Sequence, residues 1–188
     1  MMWLKKIRFS YRFMELIIGI IYILLSLVAM RNLKFEFVFT IQLFGIFSII
    51  KGAFEILNYA NIKKRVSKFS ESVLVIGGLD ILIGLNLLIF TELNVSTLSI
   101  LFGLWFLLNT LLNMSTSLII KSISYGLWLV AMIIYSFCIV IAFLLVFQIN
   151  VWGWTVTSEV GTYFLLFGSV KIISGIINER DIHTLPNS

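Results

Sequence analysis

Leu43-Phe44-Gly45, Leu101-Phe102-Gly103 and Leu166-Phe167-Gly168 place one Leu-Phe-Gly triplet in every second apolar stretch, which reads the chain as three copies of a two-helix unit. Gly45 and Gly103 stand 58 residues apart, and so do Gly19 and Gly77 in the stretches that precede them, so two separate landmarks give one period. Gly103 and Gly168 are 65 apart, and the extra seven residues are assigned to the loop 148–158, where a repeat tolerates insertion.

The stretches between these landmarks have membrane length. Of 188 residues, 60% are hydrophobic and 12% charged, with 17 Phe, which leaves too little polar surface to coat a soluble domain. Apolar runs fall near 14–30, 37–57, 73–90, 97–114, 125–147 and 160–177, each close to the roughly 20 residues a helix needs to cross the hydrocarbon core. The expected fold is an all-α integral membrane protein with six transmembrane helices arranged as three tandem helix-hairpin repeats, about 14–57, 73–114 and 125–178. A basic segment, 1–13, precedes this single domain and a short tail, 179–188, follows it.

Charge sets the expected orientation. Lys5, Lys6, Arg8, Arg12, Lys63, Lys64, Arg65, Lys68, Lys121 and Arg180 fall on one side, against Arg31 and Lys34 on the other, so both termini are expected in the cytoplasm. No small-x-small cleavage site precedes Arg31, and the first helix is read as retained. The net charge of +5 then points to anionic lipid headgroups and not to nucleic acid, because the basic residues lie at membrane boundaries. The single Cys, Cys138, sits among Phe137, Ile139 and Val140 as an apolar filler, and the single His, His183, lies in the tail, so neither a disulfide nor a soft-metal site is expected.

Within the spans a small residue recurs seven positions after another, with a variable guest three after the first: Gly77-Asp80-Gly84, Gly168-Lys171-Gly175, Gly45-Ser48-Gly52, and more weakly Gly19-Tyr22-Ser26, Gly103-Phe106-Thr110 and Tyr135-Cys138-Ala142. Such spacing keeps the small residues on one helix face, where they let backbones approach closely in lipid. The guests Asp80 and Lys171 stand out. A lone charge near the bilayer centre costs on the order of 3 kcal/mol, so each needs a partner, and their similar depth on the third and sixth spans makes them the expected intramembrane ion pair. Lys51 and Glu55, four apart, are expected to neutralise each other or reach outward; Glu15, Glu71, Glu92 and Glu159 are expected to stay hydrated at span ends, and Trp152 and Trp154 to join the outer aromatic belt. Asn109, Asn113 and Asn178 are read as hydrogen-bonding glue between helices.

Motifs for catalysis are missing from the sequence: it has no His-Glu-x-x-His, no Gly-x-Ser-x-Gly and no P-loop, and no catalytic residue, cofactor or metal is expected. The run 101–109, Leu-Phe-Gly-Leu-Trp-Phe-Leu-Leu-Asn, and the run 77–84, Gly-Gly-Leu-Asp-Ile-Leu-Ile-Gly, in the setting of three tandem hairpins, resemble the HdeD family of small bacterial inner-membrane proteins built from short repeats. The resemblance covers about residues 14–178 and implies six inner-membrane helices and an association with acid-stress resistance. It supplies no catalytic residues. Three roles follow as expectations: a non-enzymatic contribution to acid or envelope stress tolerance; a small proton or solute transporter using Asp80 and Lys171; or an accessory subunit of a membrane complex. A homo-oligomer or a membrane-protein partner is left open, since the small-residue grooves could be filled within one chain or between chains.

Overall fold

The computed structural model describes residues 11–30, 37–65, 70–89, 94–117, 121, 124–149, 153 and 155–176. They form six α-helices: α1 (Tyr11–Met30), α2 (Phe37–Arg65), α3 (Ser70–Ile89), α4 (Val95–Thr116), α5 (Tyr125–Phe147) and α6 (Val156–Ile176). Continuous apolar runs can satisfy their backbone groups in lipid only by coiling on themselves, which is why each run becomes one helix. Polar residues punctuate them. The Asn94 side chain accepts the Thr97 N–H at 2.8 Å to start α4, and Ser124 caps α5 in the same manner. Gln148 ends α5 in the left-handed conformation, φ 54°, and its N–H returns to the carbonyls of Leu144 and Leu145.

Val95–Ser115, Tyr125–Phe147 and Val156–Ile176 are long and apolar enough to cross a membrane, and Glu15–Met30 and Val73–Ile89 are shorter apolar helices. Leu24, Ile50, Leu82, Ile89, Phe137, Val140 and Phe147 all point outward and are exposed. An apolar exterior on this scale suits lipid and not water.

The helices close into a ring. The tightest pairs are α2 with α3, α4 with α5, and α6 with α1, and looser contacts link α1 to α2, α3 to α4 and α5 to α6. Each tight seam therefore joins the second helix of one repeat to the first helix of the next, with α6 returning to α1. Aromatic side chains fill the middle: Phe44 packs on Phe102 and Phe164, and Phe106 stacks on Tyr163 at 3.6 Å between ring centres.

Glycines set the spacing of the seams. A Cβ on Gly84 would lie 2.6 Å from the Gly45 carbonyl oxygen, one on Gly103 2.8 Å from that of Ala142, and one on Gly168 2.9 Å from that of Gly19. These are backbone-to-backbone approaches that a side chain would forbid. Gly19, Gly45, Gly52, Gly77, Gly84, Gly103 and Gly168 all lie in such contacts, and Gly175 is buried near the end of α6.

The seam contacts also correct the reading of the third repeat. Gly45 meets the Gly84 carbonyl and Leu88, Gly103 meets the Ala142 carbonyl and Val146, and the residue that meets the Ser26 carbonyl and Met30 in the same way is Gly161, not Gly168. Gly161 stands 58 residues after Gly103. The period is thus 58 throughout, with no seven-residue insertion in the loop 148–158. Gly168 corresponds instead to Gly52, which meets the Gly77 carbonyl as Gly168 meets that of Gly19.

Candidate functional site: a buried ionisable cluster

With the frame set by the seams, equivalent slots can be compared directly. Tyr22, Asp80 and Cys138 share one slot on the first helices, and all three are fully buried. Lys51, Asn109 and Phe167 share a slot on the second helices, and Glu55, Asn113 and Lys171 share the next, four residues further on. The backbone repeats three times, but the polar groups do not. In the α2–α3 seam the slot pair is Lys51 with Asp80; in the α6–α1 seam it is Phe167 edge-on to Tyr22, 5.5 Å between ring centres.

Asp80 is held on every side. One carboxylate oxygen accepts from the Lys51 ammonium, the other accepts from the Trp105 indole N–H at 2.7 Å, and the Asp80 backbone carbonyl accepts from the Ser48 hydroxyl at 2.7 Å. Lys51 in turn lies 3.2 Å from a Glu55 oxygen one turn along α2. Across the ring, Lys171 donates to Glu15 at 3.1 Å and sits 5.8 Å from the centre of the Phe167 ring. Buried charges persist only where partners and hydrogen bonds replace water, and both ammonium groups meet that condition.

These two ion-paired groups are not separate. Glu55 lies within electrostatic reach of Lys51, Asp80, Lys171 and Glu15, and Tyr22 faces Lys51, Asp80 and Glu55. Tyr135 on α5 lies within electrostatic reach of Glu15. Four helices, α1, α2, α3 and α6, thus bring Glu15, Lys51, Glu55, Asp80 and Lys171 into one cluster, to which α4 adds Trp105 and Asn109.

Several polar atoms there remain unsatisfied. The Tyr22 hydroxyl, one oxygen each of Glu15 and Glu55, and the Asn109 amide nitrogen are buried without a hydrogen bond, and the Tyr22 hydroxyl approaches Asn109 without completing one. Asn109 does accept from Asn113 at 2.8 Å. Chemically the cluster can hold and exchange protons. Among the described residues no three His, Cys, Asp or Glu side chains are grouped to hold a metal ion.

The expected Asp80–Lys171 pair is replaced by two others, Asp80–Lys51 and Lys171–Glu15. The reason is the ring: α3 packs between α2 and α4, and α6 between α5 and α1, so the third and sixth helices are not among the packed pairs. Both charges are buried as expected. Glu15 and Glu159, expected in water at span ends, are buried at 5% and 4% exposure, and Lys51 is buried at 1% and does not reach outward. Glu71 is exposed. Trp152, Trp154, Glu92, Asn178 and His183 lie outside the described residues. Sequence reasoning passed over Tyr22 and Trp105 as members of the site; the available signal was their position in the slots shared with Asp80 and with Phe47 of the first repeat.

Residues 17–89, which run from α1 through α3, match the family described as a short repeat of unknown function, DUF308. The match contains Tyr22, Lys51, Glu55 and Asp80 but not Glu15 or Lys171. No curated protein and no solved structure matches the chain.

Proposed function

We propose that the chain is an HdeD-like, non-enzymatic protein of the bacterial cytoplasmic membrane, crossing it six times with both termini in the cytoplasm and contributing to tolerance of acid or envelope stress. The family of short repeats matched by residues 17–89 includes the HdeD-like proteins, and the bias of Lys and Arg toward one set of loops supports the orientation. The observation that carries the reading is the cluster of ionisable side chains buried inside an otherwise apolar ring. A protein that only filled lipid or braced a partner has no need of groups that cost several kcal/mol each to bury, about the cost usual for intramembrane charge. Its contact with the cytoplasmic leaflet is with anionic headgroups, through the basic segments at the membrane boundary.

A second reading, a small proton or solute transporter, is favoured by one specific finding: Glu15 is buried as Asp80 is, and Glu55, 12% exposed, stands beside them, so more than one acid is present, as a relay requires. The accessory-subunit reading draws no such support, because the glycine grooves on which it depends are occupied within the ring.

Acid survival of a deletion strain carrying wild type, Asp80→Asn or Lys171→Met, measured beside proton flux in liposomes made with the same proteins, tests these readings. Reduced survival on deletion and in both variants, with flux equal in all three proteins, is the expected result. Normal survival of the deletion strain contradicts the stress reading, and a flux that falls in the variants moves the assignment to the transporter.

A further inference from the structure

We propose that Glu55 is a proton-binding site of the cluster: the carboxyl that takes up and releases a proton while Lys51–Asp80 and Lys171–Glu15 remain as fixed ion pairs. The argument begins with charge. Among the described residues of the cluster there are three acids and two ammonium groups, and the two ammonium groups are matched by Asp80 and Glu15. Glu55 is the surplus acid. In an apolar ring a net charge is disfavoured far more than a neutral set, so the surplus is relieved by one proton.

Geometry assigns that proton to Glu55 among the three. Both oxygens of Asp80 already accept, one from the Lys51 ammonium and the other from the Trp105 N–H, and these two donors together favour the ionised carboxylate. Both oxygens of Glu15 lie 3.1 Å from the Lys171 ammonium. One Glu15 oxygen also lacks a hydrogen bond but lies 3.1 Å from the Lys171 ammonium, whereas Glu55 pairs with Lys51 through one oxygen and leaves the other buried with no hydrogen bond. The atoms around that oxygen suit a proton site. The Tyr22 hydroxyl, within electrostatic reach of Glu55, and the Asn109 amide nitrogen beside it are also buried and unsatisfied.

The groups that face Glu55 come from every neighbouring element: Lys51 from its own helix, Asp80 from α3, Glu15 and Tyr22 from α1, Lys171 from α6, and the uncharged Asn109 from α4 beside Tyr22. The Glu55 side chain is 12% exposed, against 7% or less for the other four ionisable groups, so it is the member with access to the outside of the ring. In the orientation proposed above that access is cytoplasmic. Uptake converts the Glu55 carboxylate and one hydronium ion into a carboxylic acid and water, and release reverses this, with no other bond changed.

Infrared spectroscopy of the purified full chain in phosphatidylglycerol and phosphatidylcholine nanodiscs tests the assignment, because a protonated carboxyl has a C=O stretching band that a carboxylate lacks. Near neutral pH exposed carboxylates are ionised, so a protonated-carboxyl band there belongs to a buried acid. With Glu159, the buried acid outside the cluster, replaced by Gln in every protein, the otherwise wild-type chain is expected to show one such band, downshifted in D2O. Glu55→Gln removes it, and Glu71→Gln, at an exposed site, leaves it. Asp80→Asn also removes it, since Lys51 then takes Glu55 as its counter-ion, whereas Lys171→Met adds a second band from Glu15. Absence of the band in the reference protein, or its persistence at full strength in Glu55→Gln, overturns the proposal; if Glu55→Gln does not fold, Glu55→Asp decides it, since the band moves in frequency if residue 55 carries the proton and an unmoved band overturns the assignment. The spectra do not depend on any stress phenotype, so the proton site and the role in acid tolerance can fail separately.

Discussion

Gly77 and Gly78 are neighbours in one helix with opposite surroundings. A Cβ on Gly77 would lie 2.9 Å from the Gly52 carbonyl oxygen, and one on Gly78 would meet nothing within 4 Å. Gly77→Ala is therefore expected to destabilise the chain by about 1–3 kcal/mol, the usual cost of forcing a methyl group into a packed interface, while Gly78→Ala is neutral or slightly stabilising. Unfolding in mixed detergent micelles compares the two, and equal losses would show that the α2–α3 seam is not packed through Gly77. At this scale the sequence was a good guide to burial and a poor guide to partners. Asp80 and Lys171 stand out as charges in apolar runs, and both are buried. Lys51, Glu55 and Glu15 are as charged, but each lies near a span end or next to an opposite charge, so an outward orientation was equally consistent with the local sequence. Only the helices packed around them decide otherwise.

At the scale of the helix and its seam, pairing follows from which helices lie side by side. Glu15 and Lys171 are 156 positions apart and meet because α6 closes on α1. Removing one partner of a buried pair costs on the order of 3–5 kcal/mol. Glu15→Lys and Lys171→Glu are each expected to lose stability on that scale, and the double exchange to recover more than half of the summed loss. A double variant no better than the worse single one would break the assigned pair. The helices themselves and their order were legible, since lipid-length apolar runs have one backbone solution. The frame of the third repeat was not. Leu166-Phe167-Gly168 matches the earlier triplets in letters yet lies seven residues beyond the equivalent segment ending at Gly161, and seven residues are almost two full helical turns. Either frame keeps glycine on the seam face, so counting along the sequence cannot separate them. The carbonyl that each glycine meets across the seam does.

Over the whole molecule, the closed ring with a 58-residue period explains why one cluster forms at all. Three repeats with identical slots would hold three identical seams, but here Lys51–Asp80 occupies one, Phe167–Tyr22 the equivalent place in another, and Glu15–Lys171 a neighbouring slot of the latter. The asymmetry gathers charge toward α1, α2, α3 and α6 and depends on contact between the first and last helices. Met30 and Gly161 report that closure directly, because the Met30 Cγ lies 2.8 Å from where a Cβ on residue 161 would be. A disulfide needs about 3 Å between one sulfur and the partner's Cβ, as follows from its roughly 2.05 Å S–S bond. The decisive measurement is oxidation of Met30→Cys/Gly161→Cys in a Cys138→Ala background, in native membranes, read after cleavage of the chain between α1 and α6. The ring predicts that the fragments stay joined within one chain until reduced; fragments that separate without reductant, or join only between chains, would contradict it.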